Sequence, residues 1–513
     1  MTARLPARSN TIHAASRRVH ADARGPGAHS ALIACASVLV ALVLAGCASS
    51  AGIRSTAQPV TAQALGLQAP AGLSPWAPSP DWWHGLGSAR LDDLVAQALA
   101  GNPTLGQAQA RLTRAQAQAA GVSASAGPQV NATFDATTQR YSANGLIPPP
   151  LAGSVRTTAT AQIGASWEFD FFGRNRAAIA AAVGQQRAAE AEIQAARTLL
   201  ANQVVRTYVQ IGRLLALRDV AQRSLEQRQQ LRGLIGQRVQ AGLDTAVEAR
   251  QGDAALPEAR LQIAQIDEQI VLARHALSVL TAQRVDALDA LSVDLSRLQV
   301  LALPDNVGAD LLGRRADITA ARWRVEAATS DIQVARAQFY PNINLNAFIG
   351  LSSIGLGKLI QADSAQYGVG PAIRLPIFDS GRLRANLGAK TADLDGAIET
   401  YNATVQDAVR DAVDQLSSLQ SLVHQQREQA QTQAGTQAAF ALIEQRYAAG
   451  LSTYLAVLNA ESQLLAQQRL AADLSARVFD TQAALVRALG GGYAGDDRAW
   501  SPSTQTAAGG TTP

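Results

Sequence analysis

The chain has 513 residues and a formal net charge of +4, from 44 lysines and arginines against 40 aspartates and glutamates. The first 46 residues hold five arginines and one aspartate, so they carry the whole excess and the rest of the chain is neutral. A neutral chain lacks the basic surface of a nucleic-acid-binding protein, and a single cysteine beyond residue 46 forms no internal disulfide.

The N-terminus has the pattern of a bacterial export signal. Arginines at positions 4, 8, 17, 18 and 24 precede an apolar run from Ala31 to Leu44. This run is too short to span a bilayer as a helix, but it has the length of a signal core. It ends in the sequence Leu-Ala-Gly-Cys at residues 44–47. These four residues resemble the lipobox of bacterial lipoproteins, which implies cleavage before Cys47 and a lipid on its sulfur. We therefore predict that residues 1–46 are a signal peptide and that a lipidated Cys47 begins the mature protein; an ordinary signal with a chance cysteine is the alternative.

The second half of the chain repeats the first at an offset of about 210 residues. Gly173 and Gly242 are 69 residues apart, and Gly381 and Gly450 are again 69 residues apart. Unrelated helical segments seldom share such intervals, so we predict an internal duplication. The predicted regions are a signal peptide (1–46), a lipidated N-terminal segment (47–87), a first repeat (88–302), a second repeat (303–493) and a disordered tail (494–513).

The sequence of each repeat predicts the same series of helices and strands. It opens with an Ala-, Gln- and Arg-rich helix, at residues 88–122 in the first repeat and about 310–338 in the second. Two strands follow, then a helix that at 69 residues would be about 100 Å long, then a glycine turn and a returning helix. The returning helix, residues 244 to about 283, is shorter. We expect it to stack end to end with the opening helix, beside the long one.

Four stretches alternate apolar and polar side chains, at residues 130–137, 159–171, 342–349 and 367–377. This is the pattern of a strand with one apolar face, and the lengths approach those of membrane-spanning strands. Four strands cannot close a barrel alone. If the apolar face meets lipid, several copies must pool their strands; soluble hairpins packed on the helices are the alternative. The joining segments, 142–156 and 350–366, are predicted loops.

No motif in the sequence indicates an enzyme or a metal site. The histidines beyond residue 46, at positions 84, 275 and 424, are far apart and lack metal-ligand spacing. We find no Gly-x-Ser-x-Gly elbow, phosphate loop or Cys–His pair. Isolated surface histidines are the simpler interpretation, and we predict no catalytic residues.

Several motifs occur in an order and spacing that cover nearly all of the chain from Cys47 to about Gly492. They are Leu-Ala-Gly-Cys at 44–47, Asp-Trp-Trp at 81–83, Trp-Glu-Phe-Asp-Phe-Phe-Gly-Arg at 167–174, Arg-Arg-Ala-Asp-Ile at 314–318, Phe-Tyr-Pro at 339–341 and Pro-Ile-Phe-Asp-Ser-Gly-Arg at 376–382. This set resembles the TolC-like outer-membrane factor family, and within it the NodT-type lipoproteins of RND-type efflux systems.

The resemblance implies a mixed α and β fold in a homotrimer in the cell outer membrane. Twelve pooled transmembrane strands would form one barrel, and the long antiparallel helical hairpins would form an α-barrel across the periplasm. The polar strand face would line the lumen, with Glu168, Asp170 and Arg374 among its charges. Diacylglycerol and an N-acyl chain on Cys47 would anchor each copy in the membrane lipid, with no other cofactor.

The implied function is a passive conduit that carries drugs, toxic organic compounds or metals out of the cell. Its implied partners are a periplasmic adaptor protein and an inner-membrane RND-type pump. Two alternatives stay open from the residues themselves. One is an outer-membrane channel for type I protein secretion, and the other is a non-conducting periplasmic coiled-coil scaffold lipoprotein.

The resemblance also implies roles for the two turns farthest from the strands, which would meet the adaptor. The predicted docking residues are Arg238, Gly242, Leu243, Arg446, Gly450 and Leu451. Each arginine lies one turn before its glycine, where it would cap its helix C-terminus through the dipole. A plain helix-ending glycine explains the same turns without docking.

For a gate, the family places an acidic residue nine positions after the second tip glycine. This chain has Asn459 there, with Glu461 two positions on. We expect a looser or amide-ringed closure to which Tyr447 and Glu461 contribute, with plain helix packing of these residues as the alternative. A second departure is Ala316, where the family has a proline, which should affect only how that helix begins.

Overall fold

The computed structural model describes residues 49–61, 63–65, 78–303 and 314–493. The predicted signal peptide, Cys47 and the predicted tail lie outside the described residues.

The order of helix, two strands, long helix and returning helix occurs twice. The helices are α1 (Ala89–Gly101), α2 (Pro103–Ser125), α3 (Arg174–Gln240), α4 (Ala246–Leu280), α5 (Ala316–Ala337), α6 (Arg382–Ala448) and α7 (Tyr454–Ala488). The strands are β1 (Gln129–Arg140), β2 (Val155–Phe169), β3 (Asn342–Ile354) and β4 (Ala365–Arg374). Helices α3 and α6 both have 67 residues, which is about 100 Å, and α4 and α7 both have 35. These equal lengths confirm the predicted duplication and the long hairpins.

The opening segment of the first repeat is two helices and not the single predicted helix over 88–122. Asn102 has an extended backbone, and its side-chain oxygen accepts a hydrogen bond from the amide of Thr104 at 2.8 Å. Pro103 then occupies the first position of α2, where its missing N–H costs nothing. In the second repeat Ala316 takes the equivalent first position of α5. The helix therefore begins where the family pattern expects it, without the proline.

The predicted end-to-end stacking of opening and returning helices is confirmed, with α2 alone as the opening partner. The Asn102 amide donates to the carbonyl of Leu280, the last residue of α4, at 2.8 Å. In the second repeat Arg315 donates to the carbonyl of Ala488, the last residue of α7, at 3.3 Å. Helices α2 and α4 both pack against α3, and α5 and α7 both pack against α6.

The four strands form one antiparallel sheet in the order β1-β2-β3-β4. The register places apolar residues opposite each other, with Ile163 beside Ile349 and Ile349 beside Tyr367. These three side chains are 53%, 64% and 83% exposed, so the apolar face of the sheet is uncovered in one copy of the chain. The opposite face carries Asn, Thr, Gln and Ser side chains.

The strands end earlier at the helical side than the alternation predicted. Strand β2 stops at Phe169 because the Asp170 carboxylate turns to accept hydrogen bonds from the amides of Asn175 and Arg176, at 3.1 and 2.8 Å, and so caps α3. Strand β4 stops at Arg374, before the predicted end at residue 377. At its far end β3 continues to residue 354, into the predicted loop.

The largest buried cluster lies halfway along α3 and the second largest lies at its far end. The first joins α1, the middle of α3, the segment after α4 and the end of α7. Gly212 allows close packing there, because an added Cβ atom would lie 2.6 Å from the Leu295 side chain and would force it to shift. The second joins the last turns of α3 and α6 with the start of α7, around Tyr447 and Tyr454. Among the helices that the structure describes, none has a stretch apolar and long enough to span a membrane.

Residues 49–60, here called the N-terminal strap, lie along α6. Their contacts are Arg384 with the carbonyl of Ser49, Asp395 with the hydroxyl of Ser55 and the amide of Ala57, and Asn402 with the amide of Val60. The three α6 side chains are separated by 11 and 7 residues, so they share one face of the helix. Residue 49 therefore lies near the strand end of α6.

Candidate functional site at the helix tips

Both long helices end in the same left-handed glycine turn. Gly242 and Gly450 have φ values of 71° and 78°. The amides of Leu243 and Leu451 donate to the carbonyls of Arg238 and Arg446 at 2.9 and 2.8 Å, which is the Schellman arrangement. The turns leave the two leucine side chains 64% and 69% exposed. Each hairpin thus presents one apolar side chain at its end.

Three side chains join the two hairpins just above these turns: Arg238 of α3, Asp244 of the first turn and Tyr447 of α6. We call them the tip latch. Arg238 donates to both Asp244 oxygens, at 2.8 and 3.0 Å, a bidentate pair. The Tyr447 hydroxyl donates to the same carboxylate at 2.6 Å. The Arg238 guanidinium lies 4.5 Å from the centre of the Tyr447 ring. One carboxylate therefore holds both long helices.

The predicted arginine caps are not formed as expected. Arg238 donates to the carbonyl of Tyr447 at 2.8 Å, so it caps the last turn of α6 and not of its own helix. Arg446 is exposed and makes no side-chain hydrogen bond or ion pair with any described residue. The two arginines are equivalent in the repeat but differ because Asp244 corresponds to Ser452, which carries no charge.

The tip latch shifts the ionisation of its members in opposite directions. The hydrogen bond from Arg238 lowers the pKa of the Asp244 carboxyl, and that from Tyr447 lowers it further, against the opposing effect of burial. Burial raises the pKa of the Tyr447 hydroxyl, and the bond to Asp244 raises it again. Asp244 is therefore ionised and Tyr447 neutral over the whole physiological range.

The structure separates the other two predicted gate residues. Asn459 is exposed on α7. Glu461 is 1% exposed, and one of its oxygens accepts from Arg228 at 2.9 Å and from Ser224 at 3.1 Å, both on α3. Its other oxygen is buried without a partner among the described residues. Glu461 thus ties α7 to α3 inside the helix bundle.

Sequence reasoning missed Arg228 and Asp244. Arg228 also donates to the carbonyl of Ala255, so with Glu461 it joins α3, α4 and α7. Asp244 could have been noticed in the sequence, because it is a charged residue two positions after the first tip glycine, where the second repeat has the uncharged Ser452. Arg228 had none, because its partner lies 233 residues away.

The predicted wall charges occupy different surroundings. Glu168 and Arg374 lie on the polar face of the sheet, and Glu168 pairs with Arg174. Asp170 lies beyond β2 and caps α3, so it is not part of the strand wall. Within the described part of the chain no three His, Cys, Asp or Glu side chains come close enough to hold a metal ion.

Comparison with known proteins gives consistent matches over most of the chain. The model of the family described as outer membrane efflux protein matches residues 94–283 and again 307–491. The chain is 34% identical to the multidrug resistance outer membrane protein MdtQ of Escherichia coli O6:H1, over 90% of this chain and 98% of that protein. It is 36% identical to the fusaric acid resistance protein FusA of Burkholderia cepacia, over 70% and 69% of the two chains.

Solved structures match the fold as well. The outer membrane protein VceC of Vibrio cholerae superposes with a TM-score of 0.77 at 34% identity, covering 82% of this chain and 100% of that one. CusC superposes with a TM-score of 0.76 at 26% identity, covering 85% and 99%.

Proposed function

This chain belongs to the outer membrane efflux protein family, and from that premise we propose how its described residues assemble, dock and close. It is an outer-membrane channel of a tripartite efflux system, with a helical extension into the periplasm, and it is a transport conduit and not an enzyme. As such it works with an efflux pump and an adaptor. The observation that carries the function is one chain with both a sheet whose apolar face is uncovered and helices about 100 Å long.

The channel is a homotrimer in this proposal. Strands β1 and β4 are the edges of the sheet, and the outer side of each has no partner strand among the described residues. Unpaired edges in lipid leave backbone groups without hydrogen bonds, so β1 of one copy pairs with β4 of the next. Helix α4 supports this with an exposed apolar stripe suited to a neighbouring copy: Val247, Leu261, Leu272 and Val279.

The first test is the size and conductance of the detergent-purified mature protein. Light scattering corrected for detergent is expected to give three chains per particle, and planar bilayers are expected to show ion-conducting openings. A monomer that does not conduct would instead support the scaffold alternative.

The two tip leucines are the adaptor contacts in this proposal. Leu243 and Leu451 are exposed at the ends of hairpins that no described residue covers. Changing both to glutamate is expected to abolish binding of the adaptor in a pull-down while leaving conductance intact. Unchanged binding would leave the glycines as simple helix ends.

Closure of the channel rests on the tip latch, with Asn459 nearby on the exposed side of α7. If Asn459 faces the aperture, Asn459→Asp introduces three carboxylates in the trimer and is expected to raise cation preference in bilayer recordings. An unchanged conductance and preference would remove Asn459 from the aperture.

A lipid on Cys47 anchors each copy in this proposal. The N-terminal strap supports it, since Ser49 contacts Arg384 close to the end of β4, on the membrane side of α6. Mass spectrometry of the mature N-terminus is expected to find a diacylglycerol adduct, which Cys47→Ser would remove. An unmodified Cys47 would refute the anchor.

The cargo is small organic toxic compounds in this proposal, in keeping with relatives named for multidrug and fusaric acid resistance. Deletion of the gene is expected to increase susceptibility to such compounds without changing the set of secreted proteins. A loss of a secreted protein would favour the type I secretion alternative.

A further inference from the structure

A cavity of about 450 Å³ lies where the sheet meets the helices. Part of its lining comes from the polar face of the strands. In the register of the sheet, Glu168 lies opposite Asn344 and Asn342 lies opposite Arg374 on this face. The start of α6 closes it with Arg382. The cavity therefore opens on the face that lines the lumen in the proposed function.

The two carboxylates at this cavity already have partners. Glu168 is paired with Arg174. Asp170 accepts the two amides that begin α3 and lies 3.7 Å from the Arg176 guanidinium. Neither carboxylate is left to neutralise another cation.

Two guanidinium groups at the same cavity have no partner. The side chains of Arg374 and Arg382 are exposed, and neither makes a hydrogen bond or ion pair with a described residue. An arginine stays charged at every physiological pH. The charge that is free at the cavity is therefore positive, two units in each copy of the chain.

An aromatic surface lines the same space. The rings of Phe172 and Tyr340 stack at 4.8 Å with an angle of 11° between their planes. They are still 45% and 53% exposed, although both line the cavity. A ligand with an aromatic body can pack against this pair while its charged group reaches the arginines.

We propose that this cavity is a binding site for small aromatic carboxylates. A guanidinium binds a carboxylate through two parallel hydrogen bonds, and a cavity of this size is in the range that holds small molecules. The site rests on the proposed function for its position in a lumen, where three copies would make a ring of six positive charges. Such a ring favours organic anions over cations at this level of the tunnel.

The first test measures binding and does not depend on conduction. Titration of the detergent-purified full protein with benzoate, followed by calorimetry, is expected to show binding that weakens at least about tenfold in the variant Arg374→Gln/Arg382→Gln. The matched control is Arg140→Gln, because Arg140 is an exposed arginine without a side-chain partner at the other end of the same sheet. Equal benzoate binding by the wild type and the double variant would overturn the proposal.

The double lysine variant, Arg374→Lys/Arg382→Lys, separates charge from geometry. It keeps the two positive charges but loses the planar fork, so benzoate affinity is expected to fall between those of the wild type and the glutamine variant. The particle size of each variant reports whether it still folds. If the lysine variant binds as poorly as a correctly assembled glutamine variant, while the wild type binds, the fork is confirmed as the binding element.

A second test locates the site. In bilayers with a salt gradient, the reversal potential of the glutamine variant is expected to move towards cation selectivity, whereas that of Arg140→Gln moves less. A conducting wild type with the same reversal potential as the glutamine variant would overturn the lumenal position. A wild type that binds benzoate but does not conduct would support the site and count against the proposed channel.

Discussion

The tip latch joins the ends of the two hairpins through a few polar side-chain atoms, beside the buried cluster around Tyr447 and Tyr454. Asp244 is shared by Arg238 and Tyr447, and the side chains of the ion pair are only 9% and 10% exposed. A hydrogen bond to a charged group at such a site stabilises by about 1.5–3 kcal/mol. In the proposed function opening separates the tips and breaks this contact, so single atoms of the latch should affect opening.

Tyr447→Phe removes one hydroxyl and keeps the buried ring. We expect the open fraction in bilayer recordings to rise about tenfold or more, since each copy loses a hydrogen bond to the Asp244 carboxylate. The matched control is Tyr454→Phe, because Tyr454 is equally buried but its hydroxyl has no hydrogen-bond partner among the described residues. Equal effects of the two changes would show that the latch hydroxyl does not hold the tips.

The pH dependence of opening follows from the same groups. Arg238 lowers the pKa of Asp244, so this carboxylate stabilises the latch above the ordinary Asp pKa of about 3.9 and loses that effect as pH falls through its lower folded value. Burial raises the pKa of Tyr447, so its contribution is present below about pH 10 and is lost as pH rises towards the higher folded value.

We therefore expect the open fraction to stay constant from about pH 5 to 9, and to rise below about pH 4. Bilayer recordings at stepped pH check this directly. A transition centred near pH 6 or 7 would contradict it and would assign control of opening to another group.

At the scale of elements, each tip depends on one backbone conformation. Gly450 has a φ of 78°, and a Cβ atom added there would make only an ordinary contact, at 3.8 Å from Arg238. The cost of a side chain is therefore conformational and not steric crowding by neighbours. For an L-residue in the left-handed region it is about 1–2 kcal/mol.

Gly450→Ala is expected to lower the stability of the tip by about 1–2 kcal/mol. The tip amides should therefore exchange their hydrogens faster than in the wild type, because they exchange when the tip opens locally. Gly233 is the matched control, because it lies inside α3 with no atom within 4 Å of an added Cβ. Gly233→Ala is expected to raise helix stability by up to about 1 kcal/mol. Greater tip protection in Gly450→Ala would refute the role of the turn.

At the scale of the whole molecule, one copy of the chain leaves too much surface uncovered. The sheet has two unpaired edges within the described residues, and Leu261 and Leu272 on α4 are 61% and 58% exposed. Large uncovered apolar areas mark contact with another molecule or with lipid. The proposed trimer covers both the edges and the α4 stripe.

Leu261→Glu/Leu272→Glu is expected to reduce the trimer to monomers in detergent-corrected light scattering, because buried unpaired carboxylates are costly. The control is Leu243→Glu, since Leu243 is 64% exposed but lies at the tip, outside the stripe. It should leave the trimer intact. Trimers in both variants would exclude α4 from the interface.

The sequence by itself determined the repeating architecture. The equal 69-residue glycine intervals, the period-2 stretches and the helix-forming composition are local patterns, and each one specifies the element in which it lies. The glycines at 242 and 450 end their helices through their own left-handed backbone conformation, so the sequence alone locates these turns. Asn102 was also readable as a cap before Pro103, although we predicted one helix there.

Only the tertiary structure decided which side chains meet across the repeats. Arg238 was expected to cap its own helix, but it caps α6 because packing brings the carbonyl of Tyr447, 209 residues away, within 2.8 Å. Glu461 was grouped with Asn459, but residues two positions apart along a helix point to nearly opposite sides of it. Glu461 therefore lies inside the bundle and Asn459 lies on its surface. Such contacts depend on the relative rotation of whole helices, which spacing within a single helix does not determine.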